Sequence, residues 1–122
     1  MAYIIEYEPN GVYVRFSGNC SFAEVLQATH DFWQMPAFER MDYEIFDYLA
    51  VTELEISEYD AIEMAVRDEV ASKITRRSKI VVIATLPAII EQTEIYQHTM
   101  KDRSIDVLVT DNLVHAREWI NA

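Results

Sequence analysis

The segment Lys79–Thr85, KIVVIAT, constrains this chain more than any other. It is almost wholly apolar and β-branched, the pattern of a strand covered on both of its faces. Such a strand needs helices above and below it, and the flanking sequence supplies helical spacing on either side. Before it, Ser57-Glu58-Tyr59-Asp60 has the form of a helix cap, and Ile62, Val66, Val70 and Ile74 follow at four-residue intervals. After it, Pro87 suits the first turn of a helix running through Ile89, Ile90, Tyr96 and Met100.

The rest of the chain alternates in the same way. Tyr3, Ile5 and Tyr7 interleave with Ile4, Glu6 and Glu8, and Val12, Val14 and Phe16 resume that period after Pro9-Asn10-Gly11. Two half-buried strands around an Asn-Gly turn read as a hairpin. Ser21-Phe22-Ala23-Glu24 is a capping box, followed by Phe22, Val25, Leu26, Thr29, Phe32 and Trp33 at helical spacing. Met35-Pro36 ends that helix, because a residue before proline is pushed out of the α region. Tyr43–Tyr48 reads as the third strand and Ile105–Val109 as the last. Asp111 or Thr110 caps a short final helix with Leu113, Ala116, Trp119 and Ile120. The order is ββαβαβαβα. Strand–helix alternation favours parallel pairing with right-handed crossovers, and the opening hairpin adds an antiparallel edge. The expected fold is α/β, one domain over residues 1–122, with a mixed five-stranded sheet and four helices.

Composition narrows the function classes. Two glycines and three prolines with 51% hydrophobic residues argue against disorder. A lone cysteine, Cys20, cannot make an intramolecular bridge, which fits a reducing cytoplasm. MAYIIEYEPNG has no basic region or long apolar core, so no signal peptide is expected. A net charge of −11 makes nucleic acid a poor partner. The charge is uneven: residues 1–72 hold three of the ten basic groups, Arg15, Arg40 and Arg67, while Lys73, Arg76, Arg77 and Lys79 cluster. That cluster reads first as cations at a helix C-terminus and second as an anion-docking patch.

The stretch Tyr43–Ser57, YEIFDYLAVTELEIS, starts as a strand, reaches Asp47, crosses a short loop and ends at a helix-capping serine. That layout resembles the switch loop of the STAS domain, the family of stage II sporulation protein AA and other anti-sigma-factor antagonists. In that family a small D-S-S/T-G element opens the next helix and carries the regulatory phosphorylation site. The matching segment here is Glu55-Ile56-Ser57-Glu58, with the aspartate, first serine and glycine all replaced. The "F-S-G-N-C-S" entry to the first helix, its "W-Q-M-P-A-F" exit, the strand end Phe46-Asp47 and the closing "A-R-E-W-I" also look like the SpoIIAA-like branch of this fold. The resemblance covers nearly the whole chain. It implies a small, stand-alone bacterial regulatory or ligand-binding module, with membrane or apolar-ligand association suggested for some members.

Catalytic chemistry is not expected. His30, His98 and His115 lie far apart in sequence, whereas zinc sites present paired ligands at short spacing. Cys20 reads as a core thiol, and Gly11 and Gly18 cannot form a phosphate-cradling loop. The carboxylate pairs Asp68-Glu69 and Asp42/Glu44 read as solvated faces rather than an acid–base couple. The chain is expected to need no metal or cofactor.

Two function classes remain. In one, the surface around Asp47, Glu55, Ile56, Ser57, Glu58 and the following helix docks a regulatory protein. There the acidic loop Glu53, Glu55, Glu58 and Asp60 opposes a phosphoserine at Ser57, whose cap role already explains it. In the other, a small apolar or lipid-like ligand, or a membrane surface met peripherally, is held by the helices at 58–77 and 87–101, with Met64, Ile89 and Ile90 lining the groove. There Ala61, Ala65 and Ala71 lie outside the main stripe of the first of these helices, and Lys73, Arg76, Arg77 and Lys79 are the only electrostatic handle on an anionic surface. Regulatory protein, apolar ligand and homodimer all stay open as partners.

Overall fold

The computed structural model describes residues 3–122. Its elements are β1 (Tyr3–Glu8), β2 (Gly11–Ser21), α1 (Phe22–Trp33), a 3-10 turn (Pro36–Arg40), β3 (Tyr43–Glu55), α2 (Glu58–Ala71), β4 (Lys79–Ile83), α3 (Pro87–Met100), β5 (Asp106–Thr110) and α4 (Leu113–Ile120). The sheet order is β1-β2-β3-β4-β5, with β1 antiparallel to β2 and every other pair parallel. This is the expected ββαβαβαβα order with its mixed five-stranded sheet.

β4 is covered on both faces, as its composition requires. Ile80 and Val82 pack toward α1, α2 and α3, in a large cluster with Phe16, Phe32, Phe46 and Tyr48. Val81 and Ile83 point the other way and join Tyr43, Ile45 and Ala116 under α4. The helices are therefore divided three to one across the sheet. Gly11 is the close-approach point: a Cβ there would lie 2.5 Å from the Tyr43 ring.

Three local expectations are corrected. The third strand does not stop at Tyr48 but continues through the expected loop to Glu55, paired with a β2 that itself runs on to Ser21. Register shifts between Arg15 and Ser17 and between Gly18 and Asn19 break the two-residue period there. Gly18, at φ +69, supplies a left-handed residue at the second shift. α4 is capped by Asn112, whose side chain accepts from His115 N–H, rather than by Asp111 or Thr110. At α1, Ser21 caps as expected, but no return bond from Glu24 closes a capping box.

The largest correction concerns α2. Its four-residue apolar row was expected to form the main stripe, yet Ile62, Val66, Val70 and, just past the helix end, Ile74 are exposed. The face packed on the core is Ala61, Ala65, Asp68 and Ala71. Two causes act together. Small side chains let the helix lie close over the bulky aromatic layer of the sheet. Asp68 is drawn inward by an arginine and a tyrosine.

Candidate functional site

That arginine is Arg77. Its side chain is fully buried, and Nη1 donates to Glu44 Oε2 at 2.5 Å and to Asp68 Oδ1 at 3.2 Å. Nη2 donates to the Asp68 carbonyl at 2.9 Å and to Ser72 Oγ at 3.1 Å, so the guanidinium also sits on the C-terminal carbonyls of α2. Trp33 Nε1 reaches Glu44 Oε2 at 3.4 Å, and the guanidinium lies 5.7 Å over the Phe38 ring. Tyr96 of α3 donates to Asp68 Oδ2 at 2.5 Å. One arginine thus ties β3 to α2 and, through Asp68, to α3. Burial and the nearby Glu44 charge hold the Asp68 carboxyl well above the usual carboxylate range, despite Arg77 and Tyr96. Glu44 and Asp68 are therefore interior groups, not members of solvated carboxylate pairs.

Arg77 also removes itself from the expected anion patch. Lys79 leaves with it: its Nζ donates to the Trp119 and Ile120 carbonyls at 3.0 and 3.2 Å, serving the C-terminus of α4. Arg76 is exposed but pairs with Asp42 at 2.7 Å. Of these four cations, only Lys73 is exposed with no ion pair among the described residues. Three of the four cations in this run, Arg76, Arg77 and Lys79, are structural contacts, because each meets an acid or a carbonyl brought up by the fold.

The expected switch loop also divides. Asp47 is buried, accepts from the Tyr13 hydroxyl and takes the Leu49 N–H at 2.9 Å. Glu55 lies eight positions further along the strand, roughly 25 Å at the usual rise, so Asp47 does not share a surface with Ser57. Glu55, Ser57 and Glu58 are exposed, and Ile56 turns inward. Ser57 forms a complete capping box: its Oγ accepts from Asp60 N–H at 3.1 Å, and Asp60 Oδ2 accepts from Ser57 N–H at 3.0 Å.

Ile56 lines a cavity of about 90 Å³ between α1, α2, α3 and the sheet. Met64 and Ile89 line it as well, with Leu54, Tyr96 and Asp68. Ile90 does not line it and instead packs, half-buried, against the core. The walls are largely apolar. Cys20 is fully buried, and burial pushes its thiol up to about 12, so it is a packing group. No cluster of metal-binding side chains occurs among the described residues. Among them, no helix is long and apolar enough to cross a membrane.

The outer side of α2 is the feature that sequence reasoning placed inside. Tyr59 is 74% exposed, Val66 54% and Val70 59%, with Ile62 beside them. The ridge is framed by the Glu63–Arg67 and Glu69–Arg103 ion pairs, each 2.9 Å.

No family model matches this chain, and no curated protein matches it in sequence. Among solved structures it is similar to an uncharacterized protein of the DUF3478 family from Shewanella loihica PV-4, described as having a SpoIIAA-like fold. The TM-score is 0.58 at 9% identity, over 98% of this chain and 92% of that one. Strand order, pairing and helix placement agree with that likeness, and the fold of this chain is SpoIIAA-like.

Proposed function

We propose that this chain is a non-enzymatic protein-interaction module of the regulatory STAS type, docking through Glu55–Glu58 and the outer side of α2. The observation that carries the reading is the exposed row Tyr59, Ile62, Val66 and Val70. Scattered apolar side chains on a surface need no explanation, but a contiguous row on one helix is the usual mark of a binding face. The loop before it is acidic and rigidly capped, so Ser57 serves as a helix cap and not as a phosphorylation switch. Ser57→Ala should cost about 1 kcal/mol of stability and leave partner binding unchanged. Loss of binding in a folded Ser57→Ala protein would contradict the cap-only role.

The reading is tested by placing a photo-crosslinking amino acid at Tyr59 in the cells the protein comes from. A specific protein adduct, missing when the crosslinker stands at exposed Arg15 on β2, is the expected result. Equal labelling at both positions, or none at Tyr59, overturns it.

A second reading rests on the cavity. Its volume, about 90 Å³, is below the ~150 Å³ of a dry cavity that holds benzene. The ligand it favours is a small apolar molecule rather than a fatty-acid tail. Saturable binding of xenon, abolished by Met64→Trp, would support this reading over the docking face.

A further inference from the structure

We infer that a second copy of this chain covers the α2 ridge, the two helices crossing antiparallel about a two-fold axis at Val66. The inference rests on reading that ridge as a docking surface and names its occupant. Ile62 and Val70 lie four residues before and after Val66, so a two-fold axis at Val66 exchanges them. An interface between identical copies must be self-complementary in this way. Rows of side chains four apart, packed into the grooves of an identical row, form the commonest helix–helix contact. All three side chains are β-branched and stiff, which lowers the entropy lost on docking.

Charge supports the same arrangement. Glu58 and Tyr59 open α2, while Lys73 lies just past its end, exposed and without an ion pair among the described residues. Tyr59 and Lys73 stand seven residues before and after Val66. Antiparallel crossing therefore brings Glu58 and Tyr59 toward the partner's Lys73, and sets the helix dipoles head to tail. The acids at the ridge margins, Glu63 and Glu69, are already paired within their own chain. They supply a polar rim and need no counter-charge from across the interface. The same acids oppose an anionic lipid surface.

A single pair of four-turn helices buries less than the roughly 1,200 Å² of a standard interface. The net charge of −11 on each copy adds long-range repulsion. The contact is therefore a monomer–dimer equilibrium and not an obligate assembly.

Sedimentation velocity on the full chain, from micromolar to several hundred micromolar, should show a reversible dimer. Val66→Glu places two like charges at the axis and should raise its dissociation constant by about 100-fold or more. Because Val66 is 54% exposed, its thermal melt should not move at concentrations where wild type and variant are both monomeric. The register has its own test. Mild oxidation should link Val66→Cys to itself and Ile62→Cys to Val70→Cys in a mixture, with buried Cys20 silent. Ile62→Cys linking to itself faster than to Val70→Cys, a monomer throughout, or a dimer unaffected by Val66→Glu, each overturns the inference. A monomer that still crosslinks at Tyr59 to a different protein removes the second copy and leaves the interaction module standing. A monomer with no crosslink removes both.

Discussion

Two arginines anchor this fold, and they treat their acids in opposite ways. At the rim, Arg117 of α4 holds Glu8 of β1 in a bidentate pair, 2.6 Å on both arms, with the Tyr43 hydroxyl donating to the same carboxylate. The Glu8 side chain is 18% exposed, and the Arg117 hydrogen bonds lower its pKa against the opposing effect of burial. In the interior, Arg77 faces two buried carboxylates, and Asp68 is instead pushed up, to about 7, chiefly by burial. One guanidinium neutralises one acid well. A second acid in the same buried space is pushed toward its protonated form, because desolvation and the first acid's charge outweigh its share of the guanidinium.

The strongest way to break that contrast is to remove the interior cation. Arg77→Met leaves Glu44 and Asp68 buried together without compensation and should cost about 3–5 kcal/mol, read as a lower urea midpoint. That is a large part of the 5–15 kcal/mol typical of a whole domain, so the variant should sit near its unfolding threshold. Adding Glu44→Leu and Asp68→Leu should recover most of the loss, since replacing every member of a buried ionic cluster can be nearly neutral. No recovery would mean that the cluster holds α2 in place by geometry rather than by charge balance. Tyr96→Phe removes only the donor to Asp68 Oδ2 and should cost about 1–3 kcal/mol.

The two acids should also respond to pH with opposite sign. The folded pKa of Asp68 lies above its unfolded value, so the folded state holds a proton that the unfolded state has lost. Its contribution is fully present below about pH 4, and stability falls as pH rises through about 7. Comparing wild type with Asp68→Asn isolates this slope, which should flatten in the variant between about pH 4 and 7. An unchanged slope would show that Asp68 is ionised when folded, and the contrast between the arginines would collapse.

The sequence revealed the frame and concealed this interior. Lys79–Thr85 announced a strand buried on both faces, which ends at Ile83, two residues short of the expected bound. The serines at 21 and 57 marked helix starts, and both signals were legible because they are local. Arg77 looked like one of a run of surface cations, since its partners stand 9 and 33 residues away and only the parallel crossover brings them together. The faces of α2 were inverted for a related reason. Periodicity finds an apolar row, but whether that row or the alanine row meets the sheet depends on which one carries an acid that Arg77 can reach. The extension of β3 was hidden by two register shifts against β2, each adding a residue on β3 and breaking the two-residue period that betrays a strand. The candidate surface was legible as apolar residues at helical spacing. Its exposure was not.

The smallest effect belongs to the rim. Arg117 is 37% exposed along its side chain, so solvent screens the pair, and Arg117→Met should cost only about 0.5–1 kcal/mol. The sign of its pH dependence is more telling than its size. Because the folded pKa of Glu8 lies below its unfolded value, the pair contributes above about pH 4.5 and is lost as pH falls through the folded value. Wild type and Arg117→Met should therefore differ at pH 7 and converge in acid, the reverse of the trend for Asp68. A difference that stayed constant down to pH 3 would assign the loss to packing of the Arg117 stem. Of the two arginine sites, it would leave the interior cluster as the one where charge sets stability.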